Sequence, residues 1–171
     1  MICPVEKRQE SPSILACHSV EWYWIMTIPL YLIILGAFLV SAQSDTRAPE
    51  GQRAMLTATG KGVQIYACRD AQWVFQAPEA TLFDSAGKEI GTHSAGPVWT
   101  FRDGRKVKGT VVGKSDAPGK GDIPWLLLRG EGSFEYIRRS ETHGGVAPAG
   151  ACDAGKSLRV DYSAVYTFYT R

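Results

Sequence analysis

The chain has 171 residues, and its 19 Lys+Arg against 17 Asp+Glu leave a formal charge of +2. At 44% apolar and 21% charged it is too apolar for a disordered chain and too polar for a polytopic membrane protein. Near-balanced charge gives no strongly basic face for nucleic acid, and 18 Gly with 9 Pro point to many turns.

A polar N-terminal extension, residues 1–21, comes first. The run Trp22–Ala42 then carries no charge and is long enough to cross a bilayer, so it reads as a signal peptide or a membrane anchor. Val40-Ser41-Ala42 supplies the small and β-branched residues of an A-x-A-like cleavage site, and Gln43-Ser44-Asp45 turns polar, so cleavage after Ala42 is the first reading. Lys7 and Arg8 are offset by Glu6, Glu10 and Glu21 and lie far from the apolar run, which leaves the start open between Met1 and Met26. Ile14-Leu15-Ala16-Cys17 has the look of a lipoprotein box, but it follows polar residues instead of ending an apolar run. The expected location is secreted or periplasmic. If the segment is not cleaved, 22–42 is the membrane contact and the domain lies outside the cytoplasm.

Cys3 and Cys17 precede the apolar run, and Cys68 and Cys152 follow it. In an exported chain those two read as one disulfide, whose long loop is worth about 4 kcal/mol on a chain-entropy argument. The sequence contains no Asn and hence no N-glycosylation acceptor.

Residues 43–53 read as a flexible lead-in to an all-β domain over 54–171. Short runs of period-2 alternation are separated by Gly, Pro, Asp and Ser. Val63–Cys68 and Trp73-Val74-Phe75 are the first strands, and Thr81-Leu82-Phe83 leads into the turn Asp84-Ser85-Ala86-Gly87. Val98–Arg102 and Arg105–Val112 flank Asp103-Gly104, the dipeptide of a two-residue hairpin. After a loop over Ser115–Asp122, Pro124–Leu128 is apolar on both faces and reads as a buried strand. Phe134–Arg139 is the next strand, Thr142–Asp153 a long loop that delivers Cys152, and Leu158, Val160, Tyr162, Ala164, Tyr166 and Phe168 share one face of a last strand. No helical stripe follows Gln43. About eight strands suit a single compact β-sandwich or barrel-like domain.

Gly62–Cys68, Ala77–Leu82, Gly91–Trp99, Asp103-Gly104 through Gly109, Ile123–Leu128, Thr142–Pro148, Cys152 and Tyr162-Ser163-Ala164, in that order, resemble a family of secreted bacterial and fungal proteins known as domain of unknown function 3455. The resemblance implies export, an all-β domain and the two cysteines. Some members carry a malate dehydrogenase label, but this chain has neither a G-x-G-x-x-G between strand and helix nor a βαβ pattern to hold a nicotinamide. No cofactor is expected. The chain is several residues short between Leu128 and Tyr136, and has Asp161 and Val165 where the family tends to proline and aspartate.

His93, among Gly91, Thr92, Ser94, Ala95 and Gly96, is the weak candidate for base or ligand, with His143 in a second Gly-rich segment. Against that, no H-x-H, H-E-x-x-H or C-x-x-C spacing occurs, and adjacent Ser94 and His93 in a strand point to opposite faces. His93 therefore reads first as a hydrogen-bonded structural histidine, and no metal is expected. Trp73, Trp99 and Trp125, with Tyr66, Tyr136 and Tyr169, are candidate platforms for a sugar or other planar ligand beside their ordinary role as core, with Trp99 and Phe101 on one face. Arg102, Arg105, Lys106 and Lys108, and the pair Arg138-Arg139, could meet an anionic polymer or guard a solvated hairpin edge. Gly119-Lys120-Gly121-Asp122 lacks the spacing of a phosphate loop. The leading expectation is a non-catalytic domain binding a small ligand, or a glycan or anionic envelope polymer, through the loops Gly91–Pro97 and Thr142–Pro148. A metal-dependent or hydrolytic enzyme centred on His93 and a purely structural surface protein are the alternatives.

Overall fold

The computed structural model describes residues 45–171. The Trp22–Ala42 segment, the choice between Met1 and Met26, and Cys3 and Cys17 lie outside the described residues.

Eight strands follow in order: β1 (Arg53–Arg69), β2 (Gln72–Phe83), β3 (Glu89–Ser94), β4 (Val98–Phe101), β5 (Lys106–Ser115), β6 (Trp125–Gly132), β7 (Tyr136–Gly144) and β8 (Ser157–Thr170). Each is antiparallel to the next, and β8 returns to β1 in a register running from Arg53↔Thr170 to Ala67↔Ser157, which closes a barrel. Closure pairs both flanks of every strand, so the β4–β5 hairpin has no edge for its cations to guard. Arg102 and Arg105 instead pair with Glu89 and Asp103 on the surface.

Alternation sorts the strands into an inner and an outer face. Tyr162, Ala164, Tyr166 and Phe168 of β8 all point inward and are buried, as do Trp99 and Phe101 of β4. Two large aromatics fit so narrow a barrel because glycines face them. A Cβ on Gly60 would lie 2.6 Å from the Tyr166 ring, and one on Gly109 2.8 Å from Leu128 and 3.0 Å from Trp99. Lys61, Glu79, Lys108, Arg129 and Arg159 are exposed on the outer face. An apolar inside and a charged outside reverse the pattern of an outer-membrane barrel. On that outer wall Leu127 is covered, Gly113 lies against the Asp45 backbone, and Thr46 is buried, so this part of the lead-in packs on β5 and β6.

The turns depart from the local sequence signals in an informative way. Asp103-Gly104 does make a hairpin, but with a three-residue loop: the Phe101 N–H donates to Arg105 O, the Gly104 N–H to Phe101 O, and among these residues only Gly104 has positive φ, 88°. Asp84–Lys88 repeats that arrangement around Gly87. The two-residue turn falls at Asp70-Ala71, between the paired Arg69 and Gln72, with φ of 49° and 59° at two residues that have a Cβ. Tertiary bonds hold it there. The disulfide joins Cys68 to Cys152 across 84 residues, and the Cys152 N–H donates to Ala71 O. Thr142 and His143, expected in a loop, belong to β7, because a bulge at positive-φ Glu141 (47°) lets pairing with β8 resume at His143↔Ser163.

Candidate functional site

One end of the barrel is filled. Phe134, in the β6–β7 turn, meets Phe168 at 5.0 Å and Phe101 at 5.7 Å between ring centroids, and the Arg105 guanidinium lies over the Phe101 and Phe134 rings at 5.4 and 5.2 Å. The opposite end carries the Asp70-Ala71 turn, the β3–β4 loop and the long β5–β6 and β7–β8 loops. There a cavity of about 500 Å³ opens into the barrel, within the range of small-molecule sites.

The cavity wall draws on all eight strands, together with the β3–β4 and β5–β6 loops. The β5–β6 loop is fixed to β7: the Ile123 N–H donates to Gly144 O, the Thr142 hydroxyl to Ile123 O, and the Gly144 N–H to Asp122 Oδ1. Asp122 also packs on Gly119, so the loop's own carboxylate fills the Gly119–Asp122 turn. Ile123 and Pro124 thereby become lining residues. Tyr66 also lines the cavity and donates to Gly145 O at 2.6 Å, and Phe75 and Val111, half exposed, stand at the rim.

His93 lies in this wall, 3% exposed, stacked on Trp99 at 4.3 Å and edge-on to Tyr166 at 5.2 Å. Its Nδ1 is 3.0 Å from Val98 O, which can only accept, so Nδ1 carries the proton. Burial pushes the imidazole down to about 4, the Val98 hydrogen bond opposing and the Arg139 charge assisting. The ring is neutral at physiological pH, and Nε2 is left as an acceptor. His93 is thus both buried with a hydrogen bond and a residue of the cavity border. Tyr166, hydroxyl to hydroxyl with Tyr162 at 3.2 Å, is pushed well above the ordinary phenol range by burial.

Arg139 was legible only as half of a basic pair. Its Nε and Nη2 donate to Pro124 O at 3.0 and 2.8 Å, and it lines the cavity. Its charge lowers the pKa values of Tyr66, Tyr162, Tyr166 and His93 alike, as a secondary cause beside burial. Arg138, one residue earlier, points to the other face and stacks over Trp125 at 5.6 Å. Gln64, 2% exposed, is the other polar residue the sequence reading passed over. Strand alternation was the signal available for both: Gln64 is in phase with Tyr66, and Arg139 with buried Ile137.

Of the sequence candidates, His93 and Trp99 come together at the cavity, and Gly96 and Pro97 of the expected β3–β4 loop line it too. Trp125 lies on the outer wall. His143 is exposed and borders a shallow groove with Lys61, Asp161 and Tyr162, apart from His93. Among the described residues no three His, Cys, Asp or Glu side chains gather as a metal site would require.

The family described as protein of unknown function (DUF3455) matches residues 49–170, and the chain belongs to it. No curated protein and no solved structure matches the chain.

Proposed function

From membership of that family, whose role is open, we propose that the protein is an exported, non-catalytic barrel that binds a small molecule in its open end. One observation carries the reading: half of the interior is packed solid with aromatic side chains, while the other half encloses about 500 Å³. An eight-stranded barrel has an interior that side chains can fill or that can hold one small ligand, and this one divides between the two. The cavity presents an enclosed apolar surface that includes Pro78, Leu126 and Leu128, which favours a small molecule over an envelope polymer. A reaction centred on His93 would need a partner to orient or share its proton. Its Nδ1 faces a carbonyl, and the cavity lining contains no carboxylate or thiol. Export is supported by the apolar Trp22–Ala42 run and by the Cys68–Cys152 disulfide, which persists in oxidising compartments.

Thermal melting of the chain against a panel of small apolar ligands, glycans and divalent metals tests the reading. A ligand at about 100 times its dissociation constant adds roughly 2.7 kcal/mol, a shift of several degrees for this size. The expected result is a shift with small apolar ligands that Leu126→Trp, which fills the cavity, abolishes. A shift with metal alone, lost in His93→Ala, would contradict it.

A further inference from the structure

Resting on that reading, we infer that the cavity takes an apolar monocarboxylic acid, its carboxylate against Arg139 and its hydrocarbon or aryl body toward Phe75 and Val111 at the rim. The guanidinium is half buried, donates through Nε and Nη2 to the Pro124 carbonyl, and lies beside the Tyr166 hydroxyl, so that its neighbours are neutral. Among the described residues no carboxylate lies within ion-pair distance of Arg139; the pairs present, Arg47–Asp45, Arg102–Glu89, Arg105–Asp103, Arg159–Glu79 and Arg171–Glu135, all involve other arginines. A cation withdrawn from water without a counter-charge is unfavourable, and a bound anion would supply one.

Three further lining groups point the same way. Gln64 Nε2 and Trp99 Nε1, both buried, have no hydrogen-bond partner, and both are donors. Lys114 adds a second cation to the lining. A site rich in donors and cations, with no carboxylate of its own, selects a ligand that brings acceptors. A planar carboxylate matches the guanidinium fork. Pro78, Leu126, Leu128 and the rim pair supply an apolar stretch of the wall that suits a hydrocarbon or aryl body, beside the polar Tyr66, Gln76 and His93.

The test is calorimetric titration of the full chain with octanoate and hydrocinnamate, each beside its alcohol, octanol and hydrocinnamyl alcohol. Wild type should bind at least one acid about tenfold or more tighter than the matched alcohol. Arg139→Gln should erase that preference, so that acid and matched alcohol bind alike. Because Arg139 also holds Pro124, Arg139→Lys is measured too, and should keep part of the preference. Equal affinity for acid and alcohol in wild type, or a preference that survives Arg139→Gln, overturns the assignment of an acid and leaves the cavity reading standing. No binding of any of the four compounds overturns both.

Discussion

The two ends of this barrel share strands and a register, yet they are built oppositely. At the end formed by the β2–β3, β4–β5 and β6–β7 turns, loops are short and Phe101, Phe134 and Phe168 interlock beneath Arg105. At the other end the β5–β6 and β7–β8 loops are long, the lining includes Gln64, His93 and Arg139, and buried donors lack partners. Stability is concentrated in the first, and chemistry able to recognise a ligand in the second. Fixing the long loops falls to a disulfide and to the Asp122 and Thr142 hydrogen bonds.

The largest expected effect is at the packed end. Phe168→Ala removes a ring that is fully buried against three aromatics, and should destabilise the chain by roughly 3–5 kcal/mol in a denaturant titration. A loss under about 1 kcal/mol would mean that this end is not the tightly packed one. Replacing Cys68 and Cys152 together by alanine should destabilise by about 4 kcal/mol, given a separation of 84 residues. Amide exchange should then rise first around Ala71 and the β7–β8 loop, and last at Phe168.

His93 gives the open end a distinct pH signature. Between its ordinary value of 6.5 and its folded value of about 4, the unfolded imidazole binds a proton that the folded one does not. Its contribution is therefore fully present above 6.5 and falls away as pH drops toward 4, by on the order of 3 kcal/mol. Glu79, held low by Arg159, acts only below its ordinary 4.5, so the upper part of the window is separate from it. His93→Gln should flatten the slope of stability against pH there, whatever its effect on absolute stability. An unchanged slope would mean that the imidazole is not buried neutral. The smallest effect is expected for Gln64→Leu, which removes an unpartnered buried donor at similar volume and should be neutral or stabilising by up to about 1 kcal/mol. Clear destabilisation would show that Gln64 is satisfied and belongs to the packed half.

Much of this architecture was legible in local pattern. The β8 face from Tyr162 to Phe168, the Trp99 and Phe101 pair, the disulfide and the all-β class follow from alternation and cysteine position. What local pattern does not contain is closure, because the β1–β8 register, from Arg53↔Thr170 to Ala67↔Ser157, joins the two ends of the domain and is decided by packing. For the same reason the two-residue turn sits at Asp70-Ala71, where tertiary bonds hold it, and not at the stronger local signal Asp103-Gly104. The site was half legible. His93 and Trp99 stood out by residue type, whereas Arg139 looked like one of two surface cations until the strand's alternation put it inside and its neighbour out.

The contrast between the ends is tested most directly by the indole N–H resonances of the full chain during titration with octanoate. Trp99 borders the cavity, whereas Trp73 and Trp125 are outside its lining. The Trp99 signal should move saturably while those of Trp73 and Trp125 hold still. Movement of Trp125 with Trp99 unchanged would place the ligand on the outer wall and contradict a cavity in the open end.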